Sequence, residues 1–252
     1  MSIFALRMLS NARKKEIGSL KQKKYRQRYG QFLVEGEKSV LELCLSEYDI
    51  TEILVTQKIF DKTRGALLAP YLLILSEKEI QQLSNFETPP GIIAVSNFKE
   101  TFIHSVVFDG KFTLMLDSIS DPGNLGTIIR IADWYGIENI ICSPDTVDLY
   151  NPKTIASSMG SFTRVNVIYS ELEPVLKKQK NNSFACVMNG LEIQTILKPQ
   201  EGIIIIGNEA NGISHKIENL ASQKITIPRI GKAESLNASI AAAIVCHSFI
   251  IK

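Results

Sequence analysis

Long apolar runs are missing from this chain of 252 residues. None approaches the roughly 18 residues that a membrane helix needs. The N-terminus has neither an apolar h-region nor a small-residue cleavage site, so no signal peptide and a cytoplasmic location are expected. Cysteine is scarce and scattered: Cys44, Cys142, Cys186 and Cys246 form no CxxC pair. That distribution points to reduced, mostly buried thiols rather than a disulfide framework. Histidine is scarcer still, and His104, His215 and His247 contain no HxxxH pair, so no metal site is expected. A GxxxxGKS/T loop, a GxGxxG fingerprint and a GxSxG elbow are all absent. This argues against phosphate-loop, dinucleotide-binding and α/β-hydrolase chemistry. What remains is ordinary globular composition, 45% hydrophobic and 21% charged, which excludes wholesale disorder, collagen-like repeats and coiled coil. A chain this long buries about three quarters of its unfolded surface without covalent staples and suits one large or two modest domains.

Charge is unevenly placed. Residues 1–30 carry nine basic residues (Arg7, Arg13, Lys14, Lys15, Lys21, Lys23, Lys24, Arg26, Arg28) against the single acid Glu16, a net of +8. The whole chain is only +2, so the other 222 residues sum to −6. A concentrated basic arm on a mildly acidic body points to a polyanion partner, although a solvated helix face has the same composition. Tyr25 and Tyr29 interleave with the cations and are suited to stacking on bases, which favours nucleic acid.

Hydrophobic periodicity gives an α/β pattern. Ser19 and Gln22 form a capping-box signature for a basic helix that Gly30 ends. Strands are expected at 31–36, 50–56, 71–75 and 92–95, with helices near 37–46 and 57–68 and a short helix opened by Ser76 and Glu79. This first unit ends near residue 97, and 98–111 reads as a linker. A second unit follows over 112–252. Its strands are expected at 112–119, 138–143, 164–169, 184–189, 203–207 and 224–228. Its helices are expected near 124–135, 151–160, 171–179, 213–221 and 235–250. Uninterrupted apolar strands such as IIIIG suggest a parallel sheet covered on both faces.

Three segments of the second unit carry candidate chemistry. In DPGNLGTIIR (121–130), Pro122-Gly123 fits the centre of a type II turn and Asn124 is a candidate N-cap. On the helix that follows, Leu125, Ile128, Ile129, Ala132 and Tyr135 share a core face. Thr127, Arg130 and Trp134 line the other, and arginine beside the chain's sole tryptophan suggests a partner or dimer surface. In IIIIGNEANGIS (203–214) a buried strand ends in Gly207-Asn208-Glu209, at the carboxyl edge where open α/β sheets bind ligands; many α/β loops are equally glycine-rich. In ITIPRIGKAESLNASIAAAI (225–244) a Pro-Gly loop leads into an alanine-rich helix, with Ser235 as a candidate N-cap and Leu236 and Asn237 in its first turn.

Taken in this order, DPGN…R, GNE…G and IP…G…ESLN…A closely resemble the three motifs of the SpoU/TrmH family of RNA ribose 2′-O-methyltransferases, within the SPOUT superfamily. The resemblance covers residues 112–252. Residues 1–97, with their basic start, FLVEG (32–36) and PPGIIAV (89–95), look like the family's accessory N-terminal RNA substrate-binding domain, a small α/β fold. The resemblance implies a parallel-sheet domain with a deep trefoil knot, an exception to the rule against threading. It implies S-adenosyl-L-methionine held by Ile206, Gly207, Ile227 and Leu236, with Asn189 touching it as well. It places Arg130, Asn124, Glu209, Ser235 and Asn237 at the reacting ribose, in a homodimer formed through the methyltransferase domain. The RNA, ribosomal in preference to transfer RNA, would be held by Arg13, Lys14, Lys15, Lys21, Lys23, Lys24, Arg26 and Arg28. Where the family often has methionine after Ile-Pro, this chain has Arg229. The competing reading is a non-catalytic RNA-binding or ribosome-assembly factor that retains the fold.

Overall fold

A computed structural model describes residues 9–63, 66–67, 69–179 and 182–251. Arg7 and the end of the helix expected near 57–68 lie outside the described residues. In chain order the elements are α1 (Asn11–Ser19), α2 (Lys23–Tyr29), β1 (Gln31–Glu35), α3 (Glu37–Cys44), β2 (Ile50–Val55), α4 (Gln57–Thr63), β3 (Tyr71–Ile74), α5 (Glu77–Leu83) and β4 (Ile92–Asn97). They continue with β5 (Phe112–Asp117), α6 (Pro122–Trp134), β6 (Asn139–Cys142), α7 (Pro152–Ser158), β7 (Asn166–Tyr169), α8 (Leu172–Lys178) and β8 (Ser183–Glu192). The last are β9 (Gly202–Gly207), α9 (His215–Leu220), β10 (Gln223–Thr226) and α10 (Ala238–Ile250). Contacts divide them into two compact units. The first holds the described residues up to Glu100 together with Tyr150–Thr163. The second holds Thr101–Leu149 and the described residues from Arg164 onward.

The first unit is built on a mixed four-stranded sheet, ordered β1-β4-β2-β3. β4 runs antiparallel to both its neighbours and β2 parallel to β3. Side chains alternate across the pleat. Leu33, Leu54, Leu73, Ile93 and Val95 face Ile17 and Leu20 at the end of α1 and Ile80 and Leu83 of α5. On the other face Phe32 is fully buried among the rings of Tyr48, Phe98, Tyr150 and Phe162. The last two rings come from the 150–163 segment that carries α7. The capping box at Ser76 is present: its hydroxyl accepts from the Glu79 N–H, and the Glu79 carboxylate accepts from the Ser76 N–H.

One expectation in this unit is corrected. The basic stretch forms two helices, not one opened by Ser19. Ser19 closes α1, donating its hydroxyl to the Glu16 carbonyl at 2.6 Å. The cap of α1 is Ser10, which accepts from the Arg13 N–H. Leu20 is fully buried and Gln22 is extended, so the chain turns there before α2 starts without a side-chain cap. Gly30, at φ +64°, ends α2 as expected.

The second unit is a six-stranded sheet, ordered β10-β8-β9-β5-β6-β7, with every pair parallel. Helices cover both faces, which is why its strands read as unbroken apolar runs. Met115, Ile141, Ala185, Ile203 and Ile205 pack against Leu172, Val175 and Leu176 of α8 and Ile213 and Ile217 beside and within α9. α10 lies against α6 and β9. Among the described residues no helix is long and apolar enough to cross a membrane.

Two helix starts differ from the sequence reading. Pro122 and Gly123 are not the centre of a turn but the first residues of α6. Asp121 is the cap and accepts from the Asn124 N–H at 2.9 Å. Proline's fixed φ suits the first helical position, and its missing N–H would have had no partner there. Asn124 is therefore one turn inside the helix. Likewise α10 starts at Ala238 with Asn237 as its cap, accepting from the N–H groups of Ser239 and Ile240. Ser235 stays in the preceding loop.

Candidate active site

In the second unit the strands β5, β9 and β10 all end at one edge of the sheet, and the three motif segments leave from those ends. Hydrogen bonds join the segments. The Asn237 amide donates to the Asn124 side-chain carbonyl at 2.9 Å, and the Asn124 amide donates to Glu209 at 2.7 Å. The other Glu209 oxygen accepts from the Ser120 hydroxyl at 3.0 Å. Asn124 is buried, 9% exposed, and each end of its amide is matched. Partial burial pushes the Glu209 carboxyl up, but hydrogen bonds from Asn124 and Ser120 outweigh it and hold the group below the ordinary glutamate value. At neutral pH Glu209 is therefore a fixed anion.

The same edge opens a cavity of about 1040 Å³. Ile206, Gly207, Ile227 and Leu236 line it, as do Glu209, Ser235 and Arg229. Its floor at β9 depends on glycine: a Cβ on Gly207 would sit 2.2 Å from the Gly212 carbonyl carbon, and Gly212 itself has φ +69°. The pair Asn208–Gly212 closes this loop with two backbone hydrogen bonds of 2.9 Å. Leu236 is half-exposed and supplies an apolar wall. Asn189 is exposed on β8 and is not among the lining residues. The pairing of β8 with β10 jumps from Ala185↔Lys224 to Leu191↔Ile225, and the stretch between brings Cys186, Val187 and Met188 to the cavity. Burial raises the Cys186 thiol to about 11, so it stays protonated and is no nucleophile.

Arg130 and Trp134 stand on the outward face of α6, Trp134 82% exposed. Arg130 makes no hydrogen bond or ion pair among the described residues. Leu125, Ile128, Ile129 and Ala132 are buried on the inner face, as the helical period required. Arg229 donates to the Ala233 carbonyl at 3.0 Å and so braces the loop at the cavity rim. The residues that the sequence reading missed are Ser120 and Asn208. Ser120 stands immediately before DPGN. Asn208 binds Ser118 and its own loop, and a Gly-Asn-Glu string gives no hint of which side chain turns inward.

The first unit holds the basic residues, and they divide into two groups. Lys15, Lys23, Lys24 and Arg28 are exposed. Lys24 lies over the Tyr25 ring and Arg28 over the Tyr29 ring, and the two rings are nearly parallel, with centroids 6.4 Å apart. The others are tied down. Arg13 pairs with Glu16 and Glu52, Lys14 with Glu79, and Lys21 binds the Ser84 carbonyl. Arg26 is only 2% exposed and donates to the Leu20 and Lys21 carbonyls, each at 3.0 Å. Its expected role on the RNA surface is corrected: it closes the end of α1.

The chain is similar to known proteins along most of its length. Residues 111–247 match the model of the SpoU rRNA methylase family, and residues 11–94 match an MRM3-like substrate binding domain. The chain is 31% identical to the Bacillus subtilis 23S rRNA (guanosine(2553)-2′-O)-methyltransferase RlmP, covering 94% of this chain and 95% of that one. Among solved structures it is similar to a Porphyromonas gingivalis protein assigned to the TrmH family of RNA methyltransferases. The TM-score is 0.87 at 30% identity, over 96% of this chain and 98% of that one. It is similar also to an AdoMet-bound rRNA methyltransferase from Sinorhizobium meliloti, with TM-score 0.84 at 28% identity, over 96% and 95% of the two chains.

Proposed function

The chain belongs to the SpoU rRNA methylase family, and on that premise we propose that it methylates a ribose 2′-hydroxyl of ribosomal RNA in the cytoplasm. The observation that carries this reading is the hydrogen-bonded series Asn237–Asn124–Glu209, which joins all three motifs and meets the cavity at Glu209. The cavity is large enough for a nucleoside-sized group, apolar along Ile206, Ile227 and Leu236, and walled by a backbone that tolerates no side chain at Gly207. These features fit S-adenosyl-L-methionine, which when bound supplies a methyl group already activated on a sulfonium.

The residues of this chain then have a positioning task. Glu209 and Asn124 hold one another and fix the edge of the site. Arg130 is read as a fixed positive charge with five N–H donors and no acceptor, and not as a base. Its unpaired charge suits a phosphate of the RNA and lowers the pKa of a nearby hydroxyl electrostatically. The stripe Thr127, Arg130, Trp134 is read as the face on which a second copy completes the site. The trefoil knot that the resemblance implies is read within the second unit. In the first unit the RNA-facing set is Lys15, Lys23, Lys24 and Arg28, with Tyr25 and Tyr29 between them. The tied cations Arg13, Lys14 and Lys21 shape that surface.

The test is methyl transfer from labelled S-adenosylmethionine to ribosomal RNA from cells lacking the modification, with the product digested to nucleosides. A 2′-O-methylnucleoside is expected. Arg130→Ala should lose transfer at least about a hundredfold and bind S-adenosylmethionine as the parent does. Near-normal turnover by that variant would sink the assignment of Arg130. If the parent protein binds S-adenosylmethionine but modifies no RNA presented free or in ribosomal subunits, the non-catalytic RNA-binding reading replaces this one.

A further inference from the structure

The turn between β5 and α6 contains a backbone conformation that its sequence does not favour. Ser118 has φ +62°, in the left-handed region. For a residue with a Cβ this conformation is strained and persists only where neighbours enforce it. Three hydrogen bonds enforce it. The Ser118 hydroxyl donates to one oxygen of Asp145 at 2.6 Å, and the Ser118 N–H donates to the Ser143 hydroxyl at 2.8 Å. The Ser143 hydroxyl in turn donates to the other Asp145 oxygen at 2.6 Å. One carboxylate thus holds the side chain of Ser118 directly and its backbone through Ser143. The hydroxyls of Ser118 and Ser143 keep the Asp145 carboxyl below its ordinary value, consistent with an anion at neutral pH.

The bent residue faces the candidate active site on two sides. Its carbonyl accepts from the Asn208 amide at 2.7 Å, and Asn208 in turn accepts from the N–H groups of Ala210 and Asn211. Two residues on, Ser120 binds Glu209. Next to Ser118, Asp117 accepts from the Ser214 N–H at 2.8 Å, at the far end of the same loop. The position of Ser118 therefore sets both the loop 208–214 and the approach to Asn124. A relaxed Ser118 would rotate its carbonyl away from Asn208 and shift Ser120 with it.

The geometry points to Asp145 and Ser118 as positioning residues for methyl transfer: Asp145 holds Ser118 in a strained turn that aligns Glu209 with Asn124. This inference rests on the methyltransferase reading. Asp145 touches none of the cavity-lining groups and acts only through Ser118. Glycine reaches the same backbone conformation without help, so Ser118→Gly should make the carboxylate dispensable.

The experiment compares the parent, Asp145→Ala, Ser118→Gly and the double variant. Asp145→Ala should lower kcat about tenfold with KM for S-adenosylmethionine changed less than about twofold. Adding Ser118→Gly should restore kcat to within about twofold of the parent. A loss that came only from instability would not be rescued by glycine. Amide hydrogen exchange at Asn208 and Gly212 reads the same device without catalysis: it should accelerate in Asp145→Ala and return in the double variant. An unchanged kcat and exchange in Asp145→Ala, or a double variant no better than Asp145→Ala in both readouts, overturns the inference. If the parent itself transfers no methyl group, the methyltransferase reading fails, and the exchange experiment still decides whether Asp145 controls this turn.

Discussion

Gly207 shows what a single position can require. Its neighbour across the loop is backbone, the Gly212 carbonyl carbon, 2.2 Å from where a Cβ would stand. Backbone cannot rotate aside as a side chain can, so Gly207→Ala must push the 208–214 loop outward. The strain, about 3 kcal/mol, is on the scale of overpacking a core. It would fall on a loop that lines the cavity, so cofactor binding should suffer more than global stability. Calorimetric titration with S-adenosylmethionine is expected to show at least about a tenfold rise in Kd, while far-UV circular dichroism and cavity-remote packing stay as in the parent. An unchanged Kd would remove this loop from the binding site. At this scale the sequence was legible in kind more than in place. GNE and DPGN announced glycine, asparagine and an acid, and these are the groups that meet. The caps were misplaced by a few residues, Asn124 for Asp121 and Ser235 for Asn237. Asx and hydroxyl side chains stand at several successive positions there, and only the packed backbone selects among them.

Among the elements, α1 and α2 show where charge counting stops being informative. Composition gave a basic arm and could not separate cations that face solvent from those that hold the fold. Burial separates them. Arg26 sits on the inner side of α2, where its guanidinium satisfies two carbonyls at the end of α1. Arg13, Lys14 and Lys21 meet partners 39 to 65 residues away along the chain, and no local pattern could have shown that. Replacing Lys15, Lys23, Lys24 and Arg28 together by alanine should weaken RNA binding and reduce the slope of log K against log salt by about 3. Thermal stability should hardly move, because these side chains are exposed. Arg26→Ala should do the opposite, costing about 3 kcal/mol of stability and leaving the salt slope of the folded fraction unchanged. Filter binding across a salt series and denaturant melts separate the two outcomes. The strands, by contrast, are each legible in the sequence to within three residues at either end. Runs such as IIIIG have no competing helical period, and both faces of the parallel sheet bury them.

For the whole molecule, the division of the chain is less simple than two halves joined once. Residues 150–163 lie between β6 and β7, strands of the second unit, yet their contacts belong to the first. Two of their aromatic rings, Tyr150 and Phe162, are buried in that unit's core. The Tyr150 ring stacks on Phe98, with centroids 4.2 Å apart and planes 5° from parallel, and lies 4.4 Å from the buried Phe32. Phe162 meets Phe32 and Tyr48 edge-on. The Tyr150 hydroxyl also accepts from the Lys99 N–H at 2.9 Å. None of this was visible from periodicity, because aromatic residues in a crossover loop read as the core of whichever unit surrounds them in sequence. A fragment ending at residue 100 therefore lacks two of the rings that bury Phe32, each large enough to be worth several kcal/mol. Expressed alone, residues 9–100 should bind a hydrophobic dye and melt without a sharp transition, and a fragment from 101 onward should expose Tyr150 and Phe162 and aggregate. Supplying the first fragment with a covalently linked copy of 150–163 should restore a cooperative melt. If the short fragment instead unfolds as sharply as the intact chain, the aromatic cluster is not what holds the first unit together, and its stability rests on the α1–α5 face of the sheet alone.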